Sequence, residues 1–267
     1  MNKLLNNIEW LRDAYVDKKY SLQKICNITK TKHPHTIKRI LNRHGVILRG
    51  LRDSHMVGKD EFFIIDSEII NGTLLGDACL HKQSKTEETA PRYSKYSSKE
   101  DYAIHVASAL SKSPSERIFY TSKDSWGKIS EGYMFQTYTS ELLSPIYAKW
   151  YPPSNVYKKI VPKDIILTPR TILYWFMDDG WSSYVKNKRA KNGRTFIVGG
   201  FCTESFTRTE NEFLCVHLKA IGVNARVEKN NGGTGFRIKL NQSSFPSFFN
   251  LIGPCPVKSM DYKWKHV

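Results

Sequence analysis

The sequence predicts an α+β protein: two pseudo-symmetric αββαββα repeats preceded by a small all-α module. Three observations predict it. Two apolar runs of helix length, Ile69–Ala78 (IINGTLLGDA) and Ile172–Gly180 (ILYWFMDDG), lie about a hundred residues apart, and each ends in an acid followed by a small residue. The segments after each run follow one repeated order of strand-like and helix-like patterns. Ahead of both, residues 1–55 hold twelve Lys or Arg against four acids, half of the chain's net charge of +16.

The amino-terminal module (1–55) reads as three short helices. Ile8, Leu11 and Tyr15 form one apolar stripe, and Leu22 and Ile25 follow Ser21 as an N-cap. Ile37, Ile40 and Leu41 form the third stripe, which Gly45 ends as a C′ residue. Residues 50–61, polar with Gly near both ends, read as a linker. In the first repeat (56–165) the motif run is followed by strand patterns in CLHKQSK and RYSKYS. An amphipathic helix in SSKEDYAIHVASAL comes next, with Ser98 and Asp101 as its capping pair. RIFYTSKDS and EGYMFQTYT make a second strand pair, and TSELLSPIYAKWY a second helix. The second repeat (166–267) shows strands near 181–189 and 194–203, then a helix capped by Thr207 and Glu210. Strands at 223–229 and 235–240 flank the NNGGTG turn, and a helix at about 242–252 closes the repeat.

Composition narrows the partners. With 40% hydrophobic and 12% aromatic residues the chain is globular, and its charge and pI near 9.6 call for a polyanion. No apolar run reaches membrane-span length and no basic amphipathic helix has a clean apolar face, so nucleic acid is favoured over a membrane surface. The five cysteines include no CxxC pair, which indicates neither a disulfide framework nor a structural zinc site. A reducing compartment fits, either a bacterial or phage-host cytoplasm or an organelle matrix. The first residues lack a signal-peptide core, so secretion is not expected.

An acid at the foot of an apolar helix needs a reason, because charge belongs in water. Gly72 and Gly76 sit four apart on one helical face, and an interior Gly costs about 1 kcal/mol relative to Ala. Close approach of a second backbone would offset that cost. If the two runs pack together, Asp77 and Asp179 emerge side by side. At GTLLGDA and LYWFMDDG the chain resembles the LAGLIDADG homing endonucleases, specifically the single-chain, two-motif kind. Similar text recurs in RYSKYSSKEDYAIHVASAL, YKKIVPKDIILTPRTILYWFMDDG and FCTESFTRTENEFLCVHLKAIGV, so the resemblance runs from about Phe62 to Lys265. Ala78 stands in place of the motif's last Gly, and Tyr174 and Asp178 replace the small pair of the second copy.

The resemblance implies a monomeric pseudo-dimer whose sheets form a DNA-binding β-saddle around two central motif helices. Gly72, Gly76, Tyr174 and Asp178 would form the helix interface. It implies a metal-dependent, staggered double-strand break across the minor groove of a long asymmetric DNA target, promoting mobility of the encoding gene. No intein signature is visible, so an intron-encoded or free-standing gene is expected. Asp77 and Asp179 would be the catalytic metal ligands, with Ala78 and Gly180 in the same metal set. Two or more Mg²⁺ ions would serve the site pair, with Mn²⁺ able to substitute. Asp178 is expected to be structural or to support the metal-holding acids without touching the metal itself. Lys159 and Lys263 would be the basic residues near the scissile phosphates, with Lys158 competing for the first role.

Base reading would fall to the strands, which fit a major groove. The candidates are His81, Gln83, Arg92, Lys95, Lys123, Gln136, Lys186, Arg194, Arg226, Lys229, Arg237 and Lys239. The amino-terminal module resembles the helix-turn-helix of DNA-invertase-like and phage proteins, although its turn is slightly long and lacks the usual Gly. Its third helix would present His35, Thr36, Lys38, Arg39 and Arg43 to double-stranded DNA. Two other readings stay open: an RNA maturase on the same fold, and a helix-turn-helix regulator carrying a vestigial nuclease body.

Overall fold

The computed structural model describes residues 3–18, 20–49, 63–82, 90–111, 118–123, 129–153, 158–186, 195–230, 233 and 235–265. The expected linker, Gln83, Arg194 and part of the NNGGTG turn lie outside them. The chain divides into two compact units, Met1–Phe63 with Lys82–Arg92 and Tyr138–Ser144, and Ile64–His81 with Tyr93–Thr137 and Pro145–Val267.

In the first unit, α1 (Ile8–Arg12) runs on as a π-helical turn at Asp13–Asp17, followed by α2 (Leu22–Thr29) and α3 (Pro34–Arg43). Their apolar stripes meet in one core of Leu11, Ala14, Tyr15, Ile25, Cys26, Ile37, Leu41 and Val46. Ser21 caps α2 by accepting the Lys24 N–H. Lys30, at φ 51°, takes the left-handed position that Gly usually fills, so the turn into α3 closes without one. Thr29 and Thr31 pair their hydroxyls at 2.9 Å inside that turn. Gly45, at φ 71°, ends the third helix as the sequence suggests.

The second unit holds the second repeat and most of the first, whose Lys82–Arg92 and Tyr138–Ser144 segments group with the first unit. The first motif helix is α4 (Ser67–Leu75), followed by β1 (Cys79–His81), β2 (Arg92–Ser97), α5 (Glu100–Leu110), β3 (Ile118–Lys123) and β4 (Ile129–Gln136). A 3₁₀ turn at Glu141–Leu143 leads into α6 (Ser144–Trp150). The second repeat runs α7 (Pro169–Asp179), β5 (Gly180–Lys186), β6 (Thr195–Phe201), α8 (Arg208–Ala220), β7 (Ala225–Lys229), β8 (Phe236–Leu240) and α9 (Phe245–Ile252). Each repeat makes one four-stranded antiparallel sheet, and the orders β1-β2-β4-β3 and β5-β6-β8-β7 are the same permutation. The repeated element order read from the sequence is therefore the repeated topology of the fold.

Local chemistry sets the helix ends. Asp66 starts α4 by accepting the Ile69 N–H, and Thr168 starts α7 by accepting the Thr171 N–H ahead of Pro169. Thr207 and Glu210 form the expected capping box of α8. The pair expected for α5 is absent. Lys99 is its N-cap without a side-chain bond, and the Asp101 carboxylate instead receives the N–H and hydroxyl of Ser259. A partner 158 residues away in sequence outcompetes the local cap.

The second motif helix is held by aromatic packing. Trp175 stacks on Phe201 at 3.8 Å between centroids, and Phe176 meets Phe201, Phe248, Phe249 and Trp264 edge-on. Both side chains are fully buried, each contributing roughly 2–3 kcal/mol of transfer free energy.

Candidate active site

Helices α4 and α7 pack face to face. A Cβ at Gly72 would collide with the Thr171 carbonyl and lie 2.8 Å from Tyr174 Cβ, and one at Gly76 would collide with the Asp178 side chain. The interface is thus asymmetric: Gly72 in α4 and Gly76 at its C-cap receive side chains from α7. That explains how Tyr174 and Asp178 replace small residues without separating the helices. At the opposite end of the helices, Arg170 pairs with Asp66 at 2.7 Å and approaches Glu68 at 3.5 Å, tying the two N-termini together. His105 Nε2 lies 2.8 Å from the Tyr174 hydroxyl on the same seam. The sequence did not single out Arg170 or His105, since one Arg or His in a basic chain carries no distinguishing pattern.

At the C-terminal ends three carboxylates and three ammonium groups converge. Asp77 has a half-exposed carboxylate, whereas that of Asp178 is fully buried. Asp179 is largely buried, and its pKa is pushed up to about 7 by that burial and then by the charges of Asp77 and Asp178. Lys159 and Lys263 offset part of this repulsion. Burial likewise raises the Asp178 carboxyl, opposed by Lys95.

Both expected lysines arrive at this point, in matching roles. Lys159 Nζ donates to the carbonyl oxygens of Gly76 and Ala78, the latter at 2.9 Å. Lys263 Nζ donates to those of Phe176 (3.1 Å), Met177 (2.7 Å) and Asp178 (2.7 Å). Each ammonium bonds carbonyls at or just beyond the end of a motif helix, where a cation also complements the helix dipole. Burial lowers both pKa values, against the pull of the nearby aspartates. Lys158 is exposed, so Lys159 is the lysine that the backbone places at the site.

Register decides which strand residues share a face. In the first sheet Ser94 opposes Gln136 and Lys95 opposes Phe135. Arg92 and Gln136 therefore belong to one face, while Lys95 belongs with the buried Tyr93 and Phe135 on the other. Lys95 is a correction to the sequence reading: its side chain is 0% exposed and cannot reach a base. It is ion-paired to Asp178 at 2.9 Å and bonds the Tyr96 carbonyl at 2.7 Å. In the second sheet Arg226 opposes Lys239 and Glu228 opposes Arg237, so the three basic residues share a face. Glu228 ion-pairs Arg226 at 2.8 Å and Lys239 at 3.4 Å, and the Arg237 guanidinium lies over the Trp181 ring. Lys229 and Lys186 are exposed but alternate onto the face of Ile238 and Phe201. His81 ends β1, half-buried, with Nδ1 3.7 Å from the Cys79 thiol, and Lys123 lies in β3 opposite Ile129. In α3, His35, Lys38, Arg39 and Arg43 are exposed and Thr36 is partly so.

Asp77 and Asp179 offer hard oxygen donors whose mutual repulsion a divalent cation would relieve, so the acids fit the expected metal. Gly180 opens β5 beside them, while the Ala78 carbonyl is already engaged by Lys159. Among the described residues no group of three or more His, Cys, Asp or Glu is arranged to hold a metal ion, and no helix is long and apolar enough to cross a membrane.

Known proteins share this fold. The structure of the homing endonuclease I-WcaI bound to its DNA recognition sequence matches with a TM-score of 0.64 at 22% identity, covering 77% of this chain and 89% of that one. Probable intron-encoded endonuclease 1 of Wickerhamomyces canadensis is 26% identical over 204 residues, 74% of this chain and 83% of that protein. The cytochrome b mRNA maturase bI2 of Saccharomyces cerevisiae is 26% identical over 206 residues, and the chain spans only 46% of that longer protein. The sequence profile of the LAGLIDADG DNA endonuclease family matches residues 67–248, the span that holds both motif helices and both sheets. With two motif helices, two equivalent sheets and an acid at the foot of each helix, the chain belongs to the LAGLIDADG DNA endonuclease family.

Proposed function

We propose that the chain is a site-specific homing endonuclease that makes a divalent-metal-dependent double-strand break in a long asymmetric DNA target. The observation that carries this reading is the pair Asp77 and Asp179 at the feet of two packed helices, each foot bound by a lysine ammonium. The similarity to I-WcaI and to the intron-encoded endonuclease of Wickerhamomyces canadensis supports it. The division into a module at 1–55 and repeats at 56–165 and 166–267 belongs to the same proposal.

Asp77 and Asp179 would hold the cation, Mg²⁺ in the cell and Mn²⁺ as substitute. When bound, such an ion lowers the pKa of coordinated water and offsets phosphate charge. Lys159 and Lys263 keep positive charge beside the scissile phosphates while anchoring the helix ends. Arg92 and Gln136 on one sheet, with Arg237 and Lys239 on the other, are the strand residues proposed to face DNA.

The test is end-mapping. DNA lacking the encoding gene is incubated with the protein in Mg²⁺ or Ca²⁺, and every new end is sequenced. A few discrete double-strand ends, seen with Mg²⁺ only and absent from an Asp77→Asn/Asp179→Asn control, are expected. Tight binding without cutting would shift the reading to the RNA maturase that the bI2 similarity suggests, and a structured intron RNA becomes the next ligand.

The exposed basic face of α3 is proposed as an additional DNA-binding surface. Lys38→Ala/Arg39→Ala/Arg43→Ala is expected to lower the slope of log K against log salt by about 2–3, at roughly 0.9 for each phosphate no longer neutralised. Binding isotherms from about 50 to 200 mM salt check this, and an unchanged slope removes α3 from the DNA interface.

A further inference from the structure

The two halves of the site are not equivalent, although the two repeats are. Asp178 occupies the motif position that Gly76 holds in the first repeat, so only one repeat places a carboxylate on the helix seam. That carboxylate crosses the seam: Asp178 Oδ2 accepts the backbone N–H of Asp77 at 3.3 Å. Its Oδ1 is 2.9 Å from Lys95 Nζ, and the same ammonium reaches Asp77 Oδ2 at 3.4 Å. Lys95 is held in turn by the Tyr96 carbonyl and lies 5.2 Å from the Tyr102 ring centroid. Asp77 is therefore gripped through backbone and side chain by groups that are themselves fixed. The Asp179 carboxylate has no hydrogen-bond or ion-pair partner among the described residues.

A fully buried ion pair is a poor source of stability, because desolvating both charges offsets much of their attraction. Geometry offers another role for it. Both members touch Asp77, and neither repeat supplies a matching pair for Asp179.

We propose that Lys95 and Asp178 are positioning residues for Asp77 alone, so that the DNA strand cut with Asp77 is cleaved faster than the strand cut with Asp179. This rests on the endonuclease reading given above. Pre-orienting a reacting group removes reorganisation from the barrier, and a misplacement near 1 Å costs about a hundredfold in rate. The protein then passes through a nicked duplex with the same strand cut first each time.

The experiment measures single-turnover rate constants for each strand, using two target duplexes that are each pre-nicked in the opposite strand. Lys95→Met by itself leaves Asp178 buried and unpaired, so the main variant is Lys95→Met/Asp178→Asn, which strands no charge. A thermal melt establishes that each variant is folded. The wild type is expected to cut one strand at least tenfold faster. The double variant is expected to slow that strand by tenfold or more, leave the other within about twofold, and so erase the strand order. Equal rates in the wild type, equal slowing of both strands, or an unchanged ratio in the variant each overturn the proposal. So does failure of the double variant to fold, which would make the pair a structural element. If the wild type cuts neither strand, the endonuclease reading itself fails; if it cuts both and the ratio ignores the pair, only the positioning role fails.

Discussion

At pH 8, Asp179→Asn is expected to lose at least about a hundredfold in cutting rate, the scale for removing one charged stabiliser of a transition state. The same variant is expected to melt at a higher temperature than the wild type when no metal is present. Asp179 has its pKa raised to about 7, against roughly 3.9 in an unfolded chain. Between those values the folded protein holds a proton that the unfolded chain has released, and above pH 7 it carries a charge that Lys159 and Lys263 only partly offset. The penalty is therefore absent below about pH 4, grows as pH rises, and is complete above pH 7, at roughly 4 kcal/mol as an upper bound. Asn is neutral at every pH and escapes it. A gain of about 5 °C or more at pH 8 that disappears by pH 4 is the expected melting result. Equal melting temperatures at pH 8 would show that neither burial nor the neighbouring acids penalise the Asp179 charge in the folded protein. Function and stability pull apart at this residue because the charge that destabilises the metal-free fold is the one that attracts the cation.

Gly72→Val is expected to be the most damaging single substitution at the helix seam. Its Cβ would collide with the backbone carbonyl of Thr171, which cannot move without unwinding the first turn of α7, and would sit 2.8 Å from Tyr174 Cβ. Overpacking of a core costs about 1–3 kcal/mol when side chains can yield, and here the obstacle is backbone, so a loss above roughly 3 kcal/mol is expected. That corresponds to a fall of about 6–12 °C in melting temperature for a unit of this size. Gly45→Ala provides the contrast. Gly45 has nothing within 4 Å of its Cβ position, and its left-handed φ of 71° leaves only local strain of about 1 kcal/mol. Thermal melts of the two variants decide the matter. Equal losses would mean that the seam tolerates a wider spacing at Gly72.

The sequence alone determined the repeat. Two apolar runs ending in Asp77 and Asp179, with strand and helix patterns in the same order after each, were enough to place both acids at the feet of paired helices, because hydrophobic period and capping chemistry are local properties. Gly72 and Gly76 announced the helix seam, whereas Lys159 and Lys263 were picked out only through the family resemblance, with Lys158 competing for the first role. Strand faces were a different matter. Lys95 lies in a segment that reads as an exposed strand, yet its register sets it opposite Phe135 on the buried face, and a shift of one residue would have reversed that. The same arithmetic placed Lys186 and Lys229 away from Arg226, Arg237 and Lys239. The partners of Asp101 and Asp178 lay 158 and 83 residues away in sequence, beyond any local pattern. Charge and periodicity fix what each segment is; only the packed chain decides which charges are brought together, because ion pairs between distant residues form only where the fold removes them jointly from water.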